Sequence, residues 1–294
     1  MVTQGVKTRW QSLAVNVRYL MMLLLAIIFL FPIVFMLVSS LKPDIQILQD
    51  SSSLRAFLPV GQISFDNYFE AFERAPVARF IFNSVLVTTL TVGLGLFLNS
   101  LAAFSLVNLR WKGRTIVLTL VIATLILPFE TIAIPLLLVV SRLPSIGADG
   151  FSQGWLNSYH VQIIPFLADA FSIFLFVQFF RSLPGELIEA ARIDGASWFQ
   201  IYARVIVPIS GPVFATAAIL RGLVMWNQYL WPIMVVQAEG FRPVMVGLGY
   251  FFQLNIAWGE VMAYLSTITI PILILFIFLQ RAFVESIASS GIKG

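Results

Sequence analysis

Two long apolar runs without a single charged residue constrain this chain more than any other feature. They extend from Tyr19 to Leu41 and from Phe80 to Leu109. A helix crosses the roughly 30 Å hydrocarbon core of a bilayer with about 20 residues, so each run is long enough to span it. Because hydrocarbon offers no hydrogen-bond partner, a spanning segment must satisfy its own amides and carbonyls, as a helix does. The sequence therefore predicts an all-α integral membrane protein.

Four further apolar segments follow the same rule, in a chain of 294 residues of which 59% are hydrophobic and 11% charged. Three of them carry one internal charge each, at Glu130, Asp169 and Arg221. Pro128 and Pro135 flank Glu130, so the helix of that segment is predicted to be broken. The six predicted transmembrane helices are about 19–41, 80–109, 115–140, 162–180, 205–236 and 261–280.

The distribution of lysine and arginine predicts the orientation of these helices. With the N-terminus inside, the inner segments hold eleven of the 18 basic residues and the outer segments hold six. Cytoplasmic connections carry the excess of basic residues in membrane proteins. The N-terminal segment 1–18 and the C-terminal tail 281–294 are therefore predicted to be cytoplasmic, on either side of a membrane domain 19–280. The external loop 42–79 is predicted to carry short helices.

Several classes of function are disfavoured by what the sequence lacks. It has no cysteine and one histidine, so neither a thiolate nor a multi-histidine metal site is available. No G-x-x-x-x-G-K-[ST] sequence occurs, so no phosphate-binding loop is present. The basic residues lie dispersed at the ends of apolar runs, which favours a lipid bilayer over nucleic acid as a partner. We therefore predict no metal, no cofactor and no enzymatic site in this chain.

The connection 183–208, between the fourth and fifth spans, has the pattern of a short helix with a stop. Pro184 suits a first helical turn, Glu186 and Glu189 lie near the positive end, and Gly195 suits a left-handed C-terminal cap. A stripe with i, i+3 and i+4 spacing is formed by Leu187, Ala190 and Ala191. These residues alone leave two interpretations open, a docking surface for another protein and an ordinary interfacial helix.

The order of residues in this connection adds a resemblance. Glu189-Ala190-Ala191, three residues, Gly195, nine residues and Val205-x-Val207-Pro208 resembles the EAA loop of ABC importer permeases. Val205 and Val207 replace the usual isoleucine and leucine and remain apolar. The extended stretch PGELIEAARIDGAS is similar to that of the carbohydrate-uptake (maltose-type) branch, in its shorter permease subunit. The ATPase-coupling residues that the resemblance implies are Glu189, Ala190, Ala191, Asp194, Gly195 and Pro208.

This resemblance implies a heteromeric complex in a bacterial plasma (inner) membrane. Its other members are expected to be a second, different permease subunit, a dimer of cytoplasmic ATPase subunits that bind Mg-ATP, and an extracytoplasmic solute-binding protein. The helix from Glu189 to Gly195 is expected to seat in a cleft of an ATPase subunit. The last residues, Gly291 to Gly294, resemble a tail that reaches the ATPase dimer in some members, and a frayed, solvated end is the alternative.

The charges inside the spans are the first candidates for a solute path. Charged side chains in a membrane are costly and usually face a bundle interior or an aqueous path. Glu130 and Arg221 are therefore candidate path residues. The alternative is an ion pair between helices, for example between these two residues.

An aromatic and amide segment in the fifth span gives the remaining candidates. The stretch WNQYLWP, which begins at Trp226, resembles an aromatic-Asn segment of the same carbohydrate branch. On one continuous helix, Trp226 and Tyr229 would share a side, while Asn227 would lie near Trp231. Aromatic faces and amides suit sugar recognition, and an aromatic belt at the membrane interface is the alternative. The candidate residues here are Trp226, Asn227, Gln228 and Tyr229.

Together these features predict a permease subunit of a binding-protein-dependent ABC importer. It is expected to form half of the path for a disaccharide, oligosaccharide or glycosylated polyol. The same architecture for a glycerol phosphate is an alternative that Arg221 keeps open. A secondary carrier or channel, in which Glu130 and Asp169 move protons, is an alternative of a different class. Such a carrier would have no use for a docking helix.

Overall fold

The computed structural model describes the backbone of residues 3–147, 150–253 and 256–291 and the side chains of residues 15–144, 154–253 and 256–280. Most of this part is helical, as predicted. The helices are α1 (Thr3–Ser39), α2 (Asp44–Asp50), α3 (Asp66–Arg74), α4 (Val77–Asn108), α5 (Arg114–Thr124), α6 (Phe129–Val140), α7 (Tyr159–Ile163), α8 (Ala170–Ser182), α9 (Glu186–Ile193), α10 (Trp198–Ile201), α11 (Val207–Ile209), α12 (Gly211–Trp226), α13 (Leu230–Val235), α14 (Val244–Gly247) and α15 (Trp258–Gly291). An antiparallel hairpin of β1 (Pro144–Gly147) and β2 (Gly150–Gln153) is added to them.

Four helical segments of the described chain are long and apolar enough to cross a membrane. They are Val15–Ser39, Val77–Asn108, Tyr159–Ser182 and Trp258–Gln280. Two bent pairs, α5 with α6 and the α10–α11 segment with α12, pass the same test together and bend by 105° and 79°. The expected break near Glu130 is present, because α6 begins only after Pro128, which has no N–H to continue a helix.

The chain divides into two compact units. The first unit consists of Met1–Pro76 and Leu248–Thr269, and the second consists of Val77–Gly247 and Ile270–Gly294. In the first unit, α1 contacts a 3₁₀-helical turn through Phe31 and Phe57, whose ring centroids lie 4.6 Å apart. α2 and α3 lie in the loop 42–79, where the sequence predicts short helices.

A buried ion pair stabilises the segment between α1 and α3 in the first unit. Lys42 Nζ lies 2.9 Å from Asp50 Oδ2 and donates a second hydrogen bond of 2.6 Å to the carbonyl of Arg55. The side chains of Lys42 and Asp50 are 1% and 9% exposed. The hydrogen bond from Lys42 lowers the pKa of Asp50 below its ordinary value of 3.8. Because the folded-state pKa is the lower one, the pair stabilises the fold above pH 3.8 and this contribution is lost as the pH falls.

We therefore expect Asp50→Asn to lower the thermal stability of the purified protein near pH 7 and to flatten its loss of stability between about pH 5 and pH 3. The measurement is thermal unfolding in detergent across that pH range. Glu70→Gln, a change at an exposed carboxylate of α3, is the matched control and should leave the profile unchanged. A profile for Asp50→Asn that overlays the unmutated one would contradict the assignment.

The second unit is built on α4, α8 and α12, and it contains two apolar clusters. The first cluster includes Phe104 of α4, Phe176 and Phe180 of α8, Ile206 and Ala217. The second cluster includes Val87, Val140, Val161, Phe166, Met225 and Trp231. The Trp231 side chain is fully buried and donates from Nε1 to the carbonyl of Val161 at 2.9 Å. The connection between α8 and α12 leads from the first cluster to the candidate coupling helix α9.

Candidate functional site

The helix α9 ends in a hydrogen-bonded left-handed cap. Gly195 has a φ of +78°, a region that glycine enters without steric cost. Its amide donates to the carbonyl of Arg192 at 3.1 Å, and the amide of Ala196 donates to the carbonyl of Ala191 at 3.0 Å. This pair of bonds defines a Schellman motif, which satisfies carbonyls that the helix end leaves free. The conformation explains why glycine stands at position 195.

One face of α9 packs on the protein and the other is free. Ile188 and Ala191 contact the first cluster, whereas the side chain of Ile193 is 86% exposed. The predicted stripe of Leu187, Ala190 and Ala191 as one shared docking face is therefore wrong for Ala191, which turns inward. The exposed residues of the helix are Glu186, Leu187, Glu189, Ala190, Arg192 and Ile193.

The segment after α9 returns the chain to the membrane through a distorted helix. Ser197 caps α10 in a capping box with Gln200. The backbone then forms a π-helical turn over Tyr202–Ile206 before α11. Pro208 lies in α11, where it lacks the N–H that would bond four residues back, so a wider turn before it is a physical consequence. The side chain of Pro208 is exposed.

A groove of about 1130 Å³ lies between α9 and the connection of α4 to α5. Glu189 of α9 lines it together with three arginines, Arg110, Arg114 and Arg192. The guanidinium of Arg192 also stacks on Trp198 at 4.8 Å from the ring centroid. The lining therefore offers both signs of charge, three guanidinium groups and one carboxylate, to a partner surface. Of the candidate coupling residues, Glu189 lines this groove. The others lie outside its lining, namely Ala190, Ala191, Asp194, Gly195 and Pro208.

Arg221 forms its ion pair with Asp169, so the suggested pair of Glu130 with Arg221 is wrong. Arg221 Nη1 lies 3.3 Å from Asp169 Oδ1, and the two side chains are 13% and 19% exposed. Arg221 Nη2 also donates to the carbonyl of Phe166 at 2.7 Å. Asp169 caps α8 by accepting from the backbone amide of Ser172 at 2.8 Å. Arg221 and Asp169 already interact with each other and with backbone groups. Each is therefore less available to bind a solute.

Asn99 of α4 completes this polar cluster, and the sequence prediction missed it. Its Nδ2 donates to the carbonyl of Leu167 at 3.0 Å, and its Oδ1 accepts from the amide of Asp169 at 3.1 Å. The chain is not α-helical between α7 and α8, so these backbone groups need partners from neighbouring helices. An amide in the middle of a long apolar helix is the signal that could have identified Asn99.

The aromatic and amide segment does not lie on one helix. α12 ends at Trp226, and Asn227 forms its C-terminal cap with Nδ2 donating to the carbonyl of Leu223 at 2.8 Å. The prediction that Trp226 and Tyr229 share one helical side is therefore wrong, because α13 begins only at Leu230. The sequence signal was Pro232, whose ring would clash with the carbonyl of residue 228 in a continuous helix.

These four candidates differ in accessibility. Trp226 is 6% exposed and lines an apolar cavity of about 540 Å³ between α4, α12 and α15. Asn227 is exposed, Gln228 is half-buried and Tyr229 is 47% exposed. Only the last three offer polar atoms to the surroundings of this chain. Trp226 instead packs within the subunit.

Glu130 stands apart from the other candidates. It lies in the first turn of α6 and is exposed, where the positive end of the helix favours a carboxylate. Within the described residues, no three histidine, aspartate or glutamate side chains converge as a metal site requires. The tail residues Ile292 to Gly294, expected to reach a partner, lie outside the described part of the chain.

Comparison with known proteins agrees with this architecture. One similar solved structure is the crystal structure of a bacterial ABC transporter involved in the import of the acidic polysaccharide alginate. One of its chains superimposes with a TM-score of 0.77, at 22% identity, over 94% of this chain and 98% of that one. At that identity the likeness shows the fold.

Two curated relatives are similar over nearly their whole length. The arabinooligosaccharides transport system permease protein AraQ of Bacillus subtilis is 31% identical over 94% of both chains. The sn-glycerol-3-phosphate transport system permease protein UgpE of Brucella suis is 30% identical over 93% of this chain and 96% of its own. The family described as binding-protein-dependent transport system inner membrane component matches residues 91–289. This match covers α9, the first apolar cluster and all of the second except Val87, and the chain belongs to that family of ABC importer permeases.

Proposed function

We propose that this permease forms half of the membrane path for a carbohydrate and is driven by a separate ATPase. The observation that carries the proposal is α9, a helix that has no buried residue yet is held in shape by its cap at Gly195. Its exposed Leu187 and Ile193 stand beside charged residues, an arrangement that suits a protein partner. That partner is one subunit of a cytoplasmic ATPase dimer, which binds and hydrolyses Mg-ATP.

The choice of solute rests on the named relatives and on the polar segment after α12. A carbohydrate, such as an oligosaccharide or a glycosylated polyol, fits the exposed Asn227, Gln228 and Tyr229, because amides and aromatic rings bind hydroxyls and sugar faces. A glycerol phosphate is the second candidate, favoured by the name of UgpE. This chain offers less to the phosphate of such a solute, because the guanidinium of Arg221 is already paired with Asp169.

The complete path requires a second, different permease subunit. Glu130 is exposed in this chain although it lies within a predicted span, and a membrane charge needs an aqueous or protein environment. We place it on the path or at the contact with the second permease. An extracytoplasmic solute-binding protein delivers the solute from the outer side.

The proposed topology has six spans in a bacterial inner membrane, with the two bent helix pairs each crossing once. Both termini, residues 1–18 and 281–294, lie in the cytoplasm together with the coupling loop 183–208. This arrangement puts the groove beside α9 on the same side as the ATPase. It also follows the excess of basic residues in the connections assigned to the inside.

Charge reversal on α9 tests the ATPase assignment. Glu189→Lys replaces the carboxylate of the groove lining with a cation. A basic group of the ATPase that pairs with Glu189 then meets a like charge, so we expect about a tenfold weaker association with the ATPase subunits. The measurement is recovery of ATPase subunits with the affinity-purified permease complex. Membrane insertion should be unchanged, because the side chain is exposed.

Glu70→Lys provides the matched control, since it makes the same charge change on the exposed surface of α3, in the external loop. ATPase recovery should stay at the unmutated level in this variant. Full ATP-independent transport by the Glu189→Lys protein, with no ATPase subunit bound, would favour a secondary carrier and reject the importer mechanism.

A further inference from the structure

The two helices that flank the coupling loop are joined again at the far end by an ion pair. α8 leads directly into α9, and the chain then returns through α10 and α11 to α12. Asp169 caps the start of α8, and Arg221 of α12 lies 3.3 Å from it. Residues 169–221 therefore form a closed unit with α9 at one end and the ion pair at the other. Most of the first cluster lies inside this unit, including Phe176, Phe180 and Ile206.

The ion pair also holds a break in the membrane helix. Between α7 and α8, the carbonyls of Phe166 and Leu167 accept from Arg221 and Asn99. Phe166 itself belongs to the second cluster. The polar cluster of Asn99, Asp169 and Arg221 is thus the place where the unit that contains α9 connects to the second cluster.

From this arrangement we infer that Asn99, Asp169 and Arg221 are positioning residues that transmit movement of α9 to the second cluster and the segment after α12. The inference rests on the proposed function, in which the ATPase moves α9. A displacement of α9 carries α8 and α12 together, because their ends are tied at Asp169 and Arg221. Arg221 and Asn99 also donate hydrogen bonds to the carbonyls of Phe166 and Leu167, so the backbone between α7 and α8 moves with them. Without these bonds α9 moves, but the outer part of the chain no longer follows.

The test follows nucleotide-dependent movement at Tyr229, which is 47% exposed just beyond α12. Tyr229→Cys places the only thiol in this cysteine-free chain, and the complex is assembled with cysteine-free partner subunits. A polar methanethiosulfonate reagent is applied to the reconstituted complex, without nucleotide and after trapping with ATP and vanadate. With the cluster intact, we expect the two labelling rates to differ about fivefold.

Arg221→Gln should reduce this ratio below about twofold while the ATPase subunits stay bound, because Asp169 loses its partner. The double variant Asp169→Asn with Arg221→Gln should restore at least part of the ratio. It leaves no unpaired charge, an amide pair can still form a hydrogen bond, and asparagine retains the helix cap.

Val261→Ala is the matched control for a purely structural effect. Val261 is buried at 1% exposure in the first unit and belongs to neither apolar cluster nor the polar cluster, so its truncation should lower stability but keep the labelling ratio. A ratio that survives Arg221→Gln, or one that falls equally with Val261→Ala, would overturn the inference. Absence of ATPase subunits from the unmutated complex would overturn the proposed function and the inference with it.

Discussion

Replacing Gly195 by alanine is expected to weaken binding of the ATPase subunits about tenfold, whereas Gly195→Asn keeps most of it. A left-handed conformation costs an ordinary L-residue roughly 1–2 kcal/mol, and asparagine tolerates it better. Since about 1.4 kcal/mol corresponds to tenfold in a binding constant, the range for alanine is roughly 5- to 30-fold. A Cβ at position 195 meets no atom within 4 Å in this chain, so the cost arises from the backbone and not from crowding. The affinity is measured by titrating the permease complex with purified ATPase subunits.

Gly185, at the other end of α9, provides the matched control. Its φ of −62° is open to any residue, and its Cβ position is equally free of neighbours. Gly185→Ala should therefore bind the ATPase subunits almost as well as the unmutated protein. If alanine and asparagine at position 195 weaken binding equally, the conformational explanation is wrong, and the ATPase surface itself lies against Gly195.

A cysteine at position 227 is expected to react with a polar thiol reagent at least about tenfold faster than a cysteine at position 225. Asn227 is exposed at the end of α12, whereas Met225 is 4% exposed in the second cluster. The rates are measured in inverted and right-side-out membranes, so the accessible side is also identified. We further expect an oligosaccharide that the complex transports to slow the labelling of Asn227→Cys.

Leu54→Cys serves as the control for that protection, because Leu54 is 80% exposed in the loop 42–79 and far along the chain from the candidate path. Its labelling should not respond to the solute. If a transported solute leaves the labelling of Asn227→Cys unchanged, and transport continues after labelling, Asn227 does not belong to the path.

The fold could be predicted where one physical requirement dominates. An uncharged run of 20 or more residues has no stable state in hydrocarbon except a helix, so α1 and α4 follow directly from the sequence. The cap at Gly195 follows in the same way, because a glycine after a short amphipathic stretch has a backbone reason to be there.

The sequence was less informative where a helix breaks and finds partners elsewhere in the chain. The prediction for residues 226–231 assumed one continuous helix. That assumption is wrong, because Pro232 is incompatible with a continuous helix through residue 228. The partner of Arg221 could not be chosen between Glu130 and Asp169, because both are carboxylates in neighbouring spans. The packing of α8 against α12 brings Asp169, and not Glu130, next to Arg221. The partners of Asn99 could not be identified from the sequence, because they are the backbone carbonyl of Leu167 and the backbone amide of Asp169.

The π-helical turn at Tyr202–Ile206 has a consequence for insertions and deletions. A π turn holds one residue more than an α turn of the same span, and each residue of a helix turns the chain by about 100°. α12 leaves this segment at a bend of 79°. Removal of one residue would therefore change the azimuth at which α12 departs by about a quarter of a circle, and Arg221 would point away from Asp169. The Arg221–Asp169 pair thus constrains the number of residues between α9 and α12 as well as the types of residue found there.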